Sequence, residues 1–134
     1  MKVDQEMAEA EFMRFIDAMD LELDESADAE DRSDFIALKN KLVKAISKGS
    51  LIIDESGQPV YTPERTEDVK PLTFYEPTGA NLVAMDKRKP GEDISKFNAV
   101  MAEMCKVHPK VFSKLKFKDY KLCQSIVTLF LASE

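Results

Sequence analysis

The stretch PLTFYEPTGANL, residues 71–82, decides how the rest of the chain is read. Pro71 to Tyr75 alternates loosely between apolar and polar and carries two adjacent aromatics, which favour extended backbone. Pro77 cannot donate to a ladder and pushes Glu76 toward an extended conformation, so the strand stops there. Thr78 then caps a helix whose apolar positions are Leu82, Val83 and Met85. Gly79 sits at the tight point between the two, where a side chain would crowd a turn of positive φ. On that reading Gly79→Val lowers the melting temperature by several degrees. Glu76, Pro77, Thr78 and Gly79 are therefore a structural joint. A phosphate-cradling loop needs clustered glycines, and the whole chain has four.

Upstream of the joint, PERTEDVK at 63–70 is a polar link, and SLIIDESGQPVYTP before it reads as a hairpin. Leu51 to Ile53 and Val60 to Thr62 are its strands, with Gly57 supplying positive φ in the turn. A helix from about Asp34 to Lys48 places Phe35, Leu38, Leu42 and Ile46 on one side. Asp31 or Ser33 caps its start and Gly49 closes it. Residues 4–23 form a further amphipathic helix, with Phe12, Phe15, Ile16, Met19 and Leu23 on its core face. Met13 and Leu21 fall off that face, as scattered surface hydrophobes or as the margin of a second contact face.

Downstream, KRKPGED at 87–93 is a basic loop, followed by a helix from about Ile94 to Lys106 that His108-Pro109 ends. A turn around Lys110 to Leu115 leads into a last helix, roughly Asp119 to Ala132, with a broad apolar face. The pattern is α+β: a mostly helical single domain over 1–134 with a small antiparallel hairpin or sheet leading into a C-terminal helical part. Its regions are an acidic helical part at 1–50, a small β part at 51–76 and a helical part at 77–134.

A chain of 134 residues buries roughly two-thirds of its unfolded surface, enough for a core without disulfides or metals. No apolar run approaches the roughly 20 residues that span a bilayer, and the acidic N-terminus lacks a signal peptide's apolar block. Synthesis in the cytosol follows. Net charge is −6 but divided: residues 1–34 hold 13 acidic and 3 basic side chains, and residues 87–121 hold 10 basic and 4 acidic. The two halves are expected to attract each other, within one chain or between chains, and self-association is one consequence. No RNP-like aromatic pattern or helix-turn-helix accompanies the basic half, which argues against nucleic acid.

The chain is poor in catalytic signatures. Cys105 and His108 are half a zinc site with no second pair, and both are placed on the apolar face of their helix. The acidic run from Asp20 to Asp31 fits a calcium loop poorly, having Glu25 where that loop needs glycine. Carboxylates otherwise mostly lie on polar helix faces and connectors, where nothing suggests a shifted pKa. No cofactor, no metal and no catalytic residue is expected.

LTFYEPTGANL also resembles the strand-to-helix signature of phage tail assembly chaperones: an extended Leu-Thr segment, an acidic residue, Pro-Thr-Gly-Ala and a leucine. Leu72, Thr73, Glu76, Pro77, Thr78, Gly79, Ala80 and Leu82 match it in place. The hairpin before it, and a last helix opened by Phe117-Lys-Asp119, are similar too, so the resemblance covers about 51–132. It implies a non-enzymatic protein of the host cytoplasm that binds the aggregation-prone tape measure protein, and possibly the tail tube protein, during tail assembly. A minor tail component retained in the virion, or another phage interaction module, is the alternative. Phe12, Phe15 and Met19, with Met13 and Leu21 at the margins, are the expected contacts for a helical client. The same residues also suit a permanently packed helix.

Overall fold

Asp4 starts the first helix by accepting a hydrogen bond from the Met7 amide at 2.8 Å, an N-cap that satisfies one of the free donors of the opening turn. Helix α1 runs Gln5–Ala18, and Met19 is its C-cap, so it is shorter than the apolar period suggests. Asp20 turns the chain away with a φ of 50°. In the computed structural model, residues 2–21, 29–79 and 93–132 are described.

Helix α2, Ala29–Lys48, starts five residues before the expected Asp34. Asp31 and Ser33 therefore lie within it and do not cap it. Gly49, with φ of 90°, closes it as expected. α1 and α2 are antiparallel: the Val3 amide donates to the Ser47 carbonyl at 3.0 Å, and the Phe12 and Phe35 rings lie 6.5 Å apart.

Strands β1 (Leu51–Ile53), β2 (Pro59–Tyr61) and β3 (Leu72–Thr73) form an antiparallel sheet in that order. Leu51 stands opposite Tyr61, and Tyr61 opposite Leu72. Alternation sends Leu51, Ile53 and Tyr61 inward and leaves Ile52 on the outside. Only Leu72 and Thr73 of the expected 71–75 strand pair, and Pro77 cannot extend the ladder. The helix expected after Thr78, with Leu82, Val83 and Met85, and most of the basic loop expected at 87–93 lie outside the described residues.

Three further helices complete the chain: α3 (Asp93–Cys105), α4 (Lys110–Lys114) and α5 (Phe117–Ala132). The last begins two residues before the expected Asp119. It packs on both α2 and α3. One buried cluster draws on α1, α2, the sheet, α3, α4 and α5, and its largest members include Tyr61, Phe12, Phe15, Phe74, Phe112 and Met101. The fold is mostly helical α+β with a small antiparallel sheet, as the pattern of periods requires.

Candidate functional site

The contact residues expected on α1 divide between the core and the surface. Phe12, Phe15 and Met19 are buried in the core, and Phe15 meets Phe130 of α5 edge to face with ring centroids 5.4 Å apart. Leu21 is half-buried and packs against the same core, so it does not belong to an outer face. Met13 remains 39 % exposed and Met7 56 %. As folded, α1 thus presents Met7 and Met13 to solvent, packs mainly on α2 and meets α5 through Phe15.

The joint at 71–79 has a clear structural role. The Phe74 amide donates to the Pro59 carbonyl at 2.9 Å, and the Tyr75 amide donates to the Met104 carbonyl at the end of α3. The Lys106 ammonium stands 4.3 Å above the Tyr75 ring. Glu76, Thr78 and Gly79 are exposed and Pro77 is half-buried. Gly79 is not the tight point expected. Its φ is not positive, and a Cβ there would meet no atom within 4 Å among the described residues. Gly79→Val is therefore expected to shift the melting temperature by no more than about 2 °C, the ordinary range for a surface substitution. A loss of 8 °C or so on calorimetry would show that the joint resists side chains for another reason.

Where the sequence pattern saw only a helix opening, the structure places a buried carboxylate. Asp119, in the first turn of α5, is 1 % exposed. Its Oδ1 accepts from the Tyr61 hydroxyl at 2.7 Å and the Glu64 amide at 3.0 Å. Its Oδ2 accepts from the Arg65 amide at 3.0 Å and the Thr66 hydroxyl at 2.7 Å. Thr66 Oγ1 in turn accepts from the Lys116 amide at 2.9 Å, just before α5. Burial alone would raise the Asp119 pKa, but these four donors outweigh it and hold the carboxyl below its ordinary value. The same burial, together with Asp119, raises the pKa of Tyr61. With both oxygens saturated, the carboxylate is a tie between β2, the 63–66 link and α5. Asp119 is thus an exception to the expectation that carboxylates mostly lie on polar helix faces and connectors. The one local sign was an acid in the first turn of a helix, where the backbone dipole favours it.

Cys105 and Cys123 are free and buried, and burial pushes the Cys105 thiol up to about 12. His108 is exposed beyond the end of α3, its Nδ1 accepting from the Lys110 amide at 3.1 Å. It therefore does not share an apolar face with Cys105. Among the described residues no three His, Cys, Asp or Glu side chains gather to hold a metal ion. None of the helices among those residues is long and apolar enough to cross a membrane.

A cleft of about 380 Å³ opens between the last turns of α2 and the start of α5. Lys41, Lys44 and Lys48 line it from α2, Lys118 and Lys121 from α5, and Arg65 from the link. Among the described residues Glu64 is the one acid on its wall, and Phe117 stands at it 72 % exposed. Burial first, and the nearby Lys121 charge second, lower the Lys41 pKa. The cleft was not anticipated, because its cations come from segments up to 80 residues apart (Lys41 to Lys121).

Residues 63–132, from the link through the last helix, match the family model described as phage tail assembly chaperone proteins, E, or 41 or 14. No curated protein and no solved structure matches the chain.

Proposed function

We infer, because the chain belongs to the phage tail assembly chaperone family, that it binds the tape measure protein in the host cytoplasm and keeps it soluble until the tail tube encloses it. The role is carried out by binding, without catalysis or cofactor. A tape measure protein is long and helical, and its apolar faces self-associate unless another apolar surface covers them.

The observation that carries the reading is the position of α1. It lies outside the matched residues, yet its Phe15 meets Phe130 of α5 within them edge to face. A client helix offering an equivalent face can take that place, releasing Phe12, Phe15 and Met19 to contact it in turn. Exposing each of these buried side chains costs on the order of 2 kcal/mol, so a client must bury comparable area to displace α1. Met13 is the part of the proposed contact accessible without displacement, and first contact falls there.

Co-expression with the tape measure protein tests both levels. The client is expected in the soluble fraction with the parent chain and in the pellet without it. If it precipitates regardless, the chaperone reading fails. Met13→Asp should leave the melting temperature within about 2 °C of the parent, since the side chain is largely outside the core. It should also move a measurable share of the client into the pellet. Full solubility with the variant would remove the outer margin of α1 from the binding surface.

A further inference from the structure

The cleft between α2 and α5 gathers positive charge that the described residues do not neutralise. Its walls carry six cations, all exposed, against Glu64 alone among those residues. Within the same set, none of the six side chains forms an ion pair. Lys41 of α2 and Lys121 of α5 repel each other across the cleft. Lys121 also lies 5.5 Å from the centre of the Phe117 ring, a large aromatic left 72 % exposed. Like charges converging from three segments give this wall a positive potential, on a chain whose net charge is −6.

The arrangement also sets the size of a ligand. Lys41, Lys44 and Lys48 follow the spacing that puts side chains on one helix face, and they cover about 10 Å of α2. Lys118 and Lys121 make a shorter row on α5. An extended chain advances about 3.3 Å per residue, so about three or four residues of a partner lie along these rows. Carboxylates on such a segment meet the ammonium groups, and an apolar side chain within it meets the Phe117 ring. Protein suits the cleft better than nucleic acid. The chain belongs to a family of tail assembly chaperones, and Arg65, Phe117, Lys118 and Lys121 fall within the matched residues 63–132. Glu64 on the wall and the net charge of −6 oppose a phosphate backbone.

We propose that the basic cleft between α2 and α5 is a docking site for a short acidic segment of a partner protein, with an apolar side chain of that segment seated on Phe117. No residue of α1 lines the cleft, so this site is separate from the surface proposed for the tape measure protein. It rests on membership of the family and not on the identity of the client. It therefore stands or falls independently of that reading.

Fluorescence anisotropy with the full chain tests this, using a rhodamine-labelled peptide of four glutamates around one phenylalanine between glycine-serine ends. At about 50 mM salt it should bind at least about tenfold more tightly than its glutamine counterpart, and it should weaken as salt rises. Lys44→Glu/Lys121→Glu reverses the cleft and should cost at least about tenfold in affinity. Lys110→Glu/Lys114→Glu changes net charge equally on α4, outside the cleft, and should bind within about twofold of the parent. All four lysines are exposed, so both variants should melt within about 2 °C of the parent. Phe117→Ser should weaken the phenylalanine peptide about threefold to tenfold, and a peptide with serine in that place far less. Equal binding of the glutamate and glutamine peptides overturns the proposal. So does an equal loss in both double variants, which is the effect of net charge alone, or a Phe117→Ser chain that binds both peptides as the parent does. A single-stranded oligonucleotide that binds more tightly than the peptide, and is lost in the cleft variant, would assign the cleft to nucleic acid instead. Salt-sensitive self-association on sedimentation, lost in the same variant, would assign it to a second copy.

Discussion

Replacing Asp119 with alanine is expected to lower the melting temperature by about 10–20 °C, while far-ultraviolet dichroism at low temperature keeps its helical signature. Four donors lose their acceptor at once: the Tyr61 hydroxyl, the Glu64 and Arg65 amides and the Thr66 hydroxyl. Unpartnered donors in a dry site cost about 1–3 kcal/mol each, and relaxation and entering water recover part of that. A net loss of about 3–5 kcal/mol remains, at roughly 4 °C per kcal/mol for a domain of this size. Asp119→Asn should lie between the two, since an amide keeps one acceptor oxygen but turns two hydrogens toward the remaining donors. A loss below about 4 °C for the alanine variant would mean that the 63–66 link finds other partners.

The same carboxylate sets an acid limit. Its pKa is depressed in the folded state from an ordinary value of 3.8. Its contribution is therefore fully present above that ordinary value and is lost as pH falls toward the folded one. The parent's melting temperature should drop more steeply below about pH 4 than that of Asp119→Ala, which lacks the linked proton. Parallel acid limbs for the two proteins would contradict the depressed pKa.

Gly57→Val is the second large effect, at about 3 kcal/mol or roughly 10 °C, and it contrasts with the near-silent Gly79→Val. Gly57 has φ of 84°, a region that a β-branched residue enters only under strain. A Cβ there would also collide with the Ala18 Cβ at the end of α1. The turn is pinned from several sides. Asp54 Oδ1 accepts from the Ser56 and Gln58 amides, and Arg14 of α1 donates to the Ile53 and Asp54 carbonyls. A displaced turn therefore strains α1 as well. The two components separate in a double-mutant cycle. Ala18→Gly should recover the steric part of a Gly57→Ala loss, and the backbone part should persist. If Ala18→Gly recovers nothing, the collision is relieved by movement of α1 and strain in φ alone sets the cost.

These effects trace what can and cannot be read locally. The period of Phe12, Phe15, Ile16 and Met19 is enough to place one face of α1 inward, because a helix brings residues three and four apart onto one side. The Asp54–Gly57 turn and the Gly49 helix stop are legible for the same reason, since a positive φ is a property of one residue. The family that the 71–82 stretch resembles is likewise the one that the chain matches.

What remained hidden depends on neighbours distant in sequence. Gly79 has the local setting of a tight turn, but only packing decides whether its Cβ meets an atom, and it meets none among the described residues. Ala29 to Ser33 reads as a polar connector, yet α2 already includes it. Leu21 looks like an outlier on a helical wheel because the helix ends before it, and the turn at Asp20 returns it to the core. Asp119 passes for one more surface acid until Tyr61, the Glu64 and Arg65 amides and the Thr66 hydroxyl, 53–58 residues away, supply its donors. The basic cleft likewise forms only when the end of α2 meets the start of α5. Periodicity and turn chemistry act over a few residues and are written in order along the chain. Burial of a carboxylate and convergence of charge are set by which segments the core brings together, and that is decided only in the folded state.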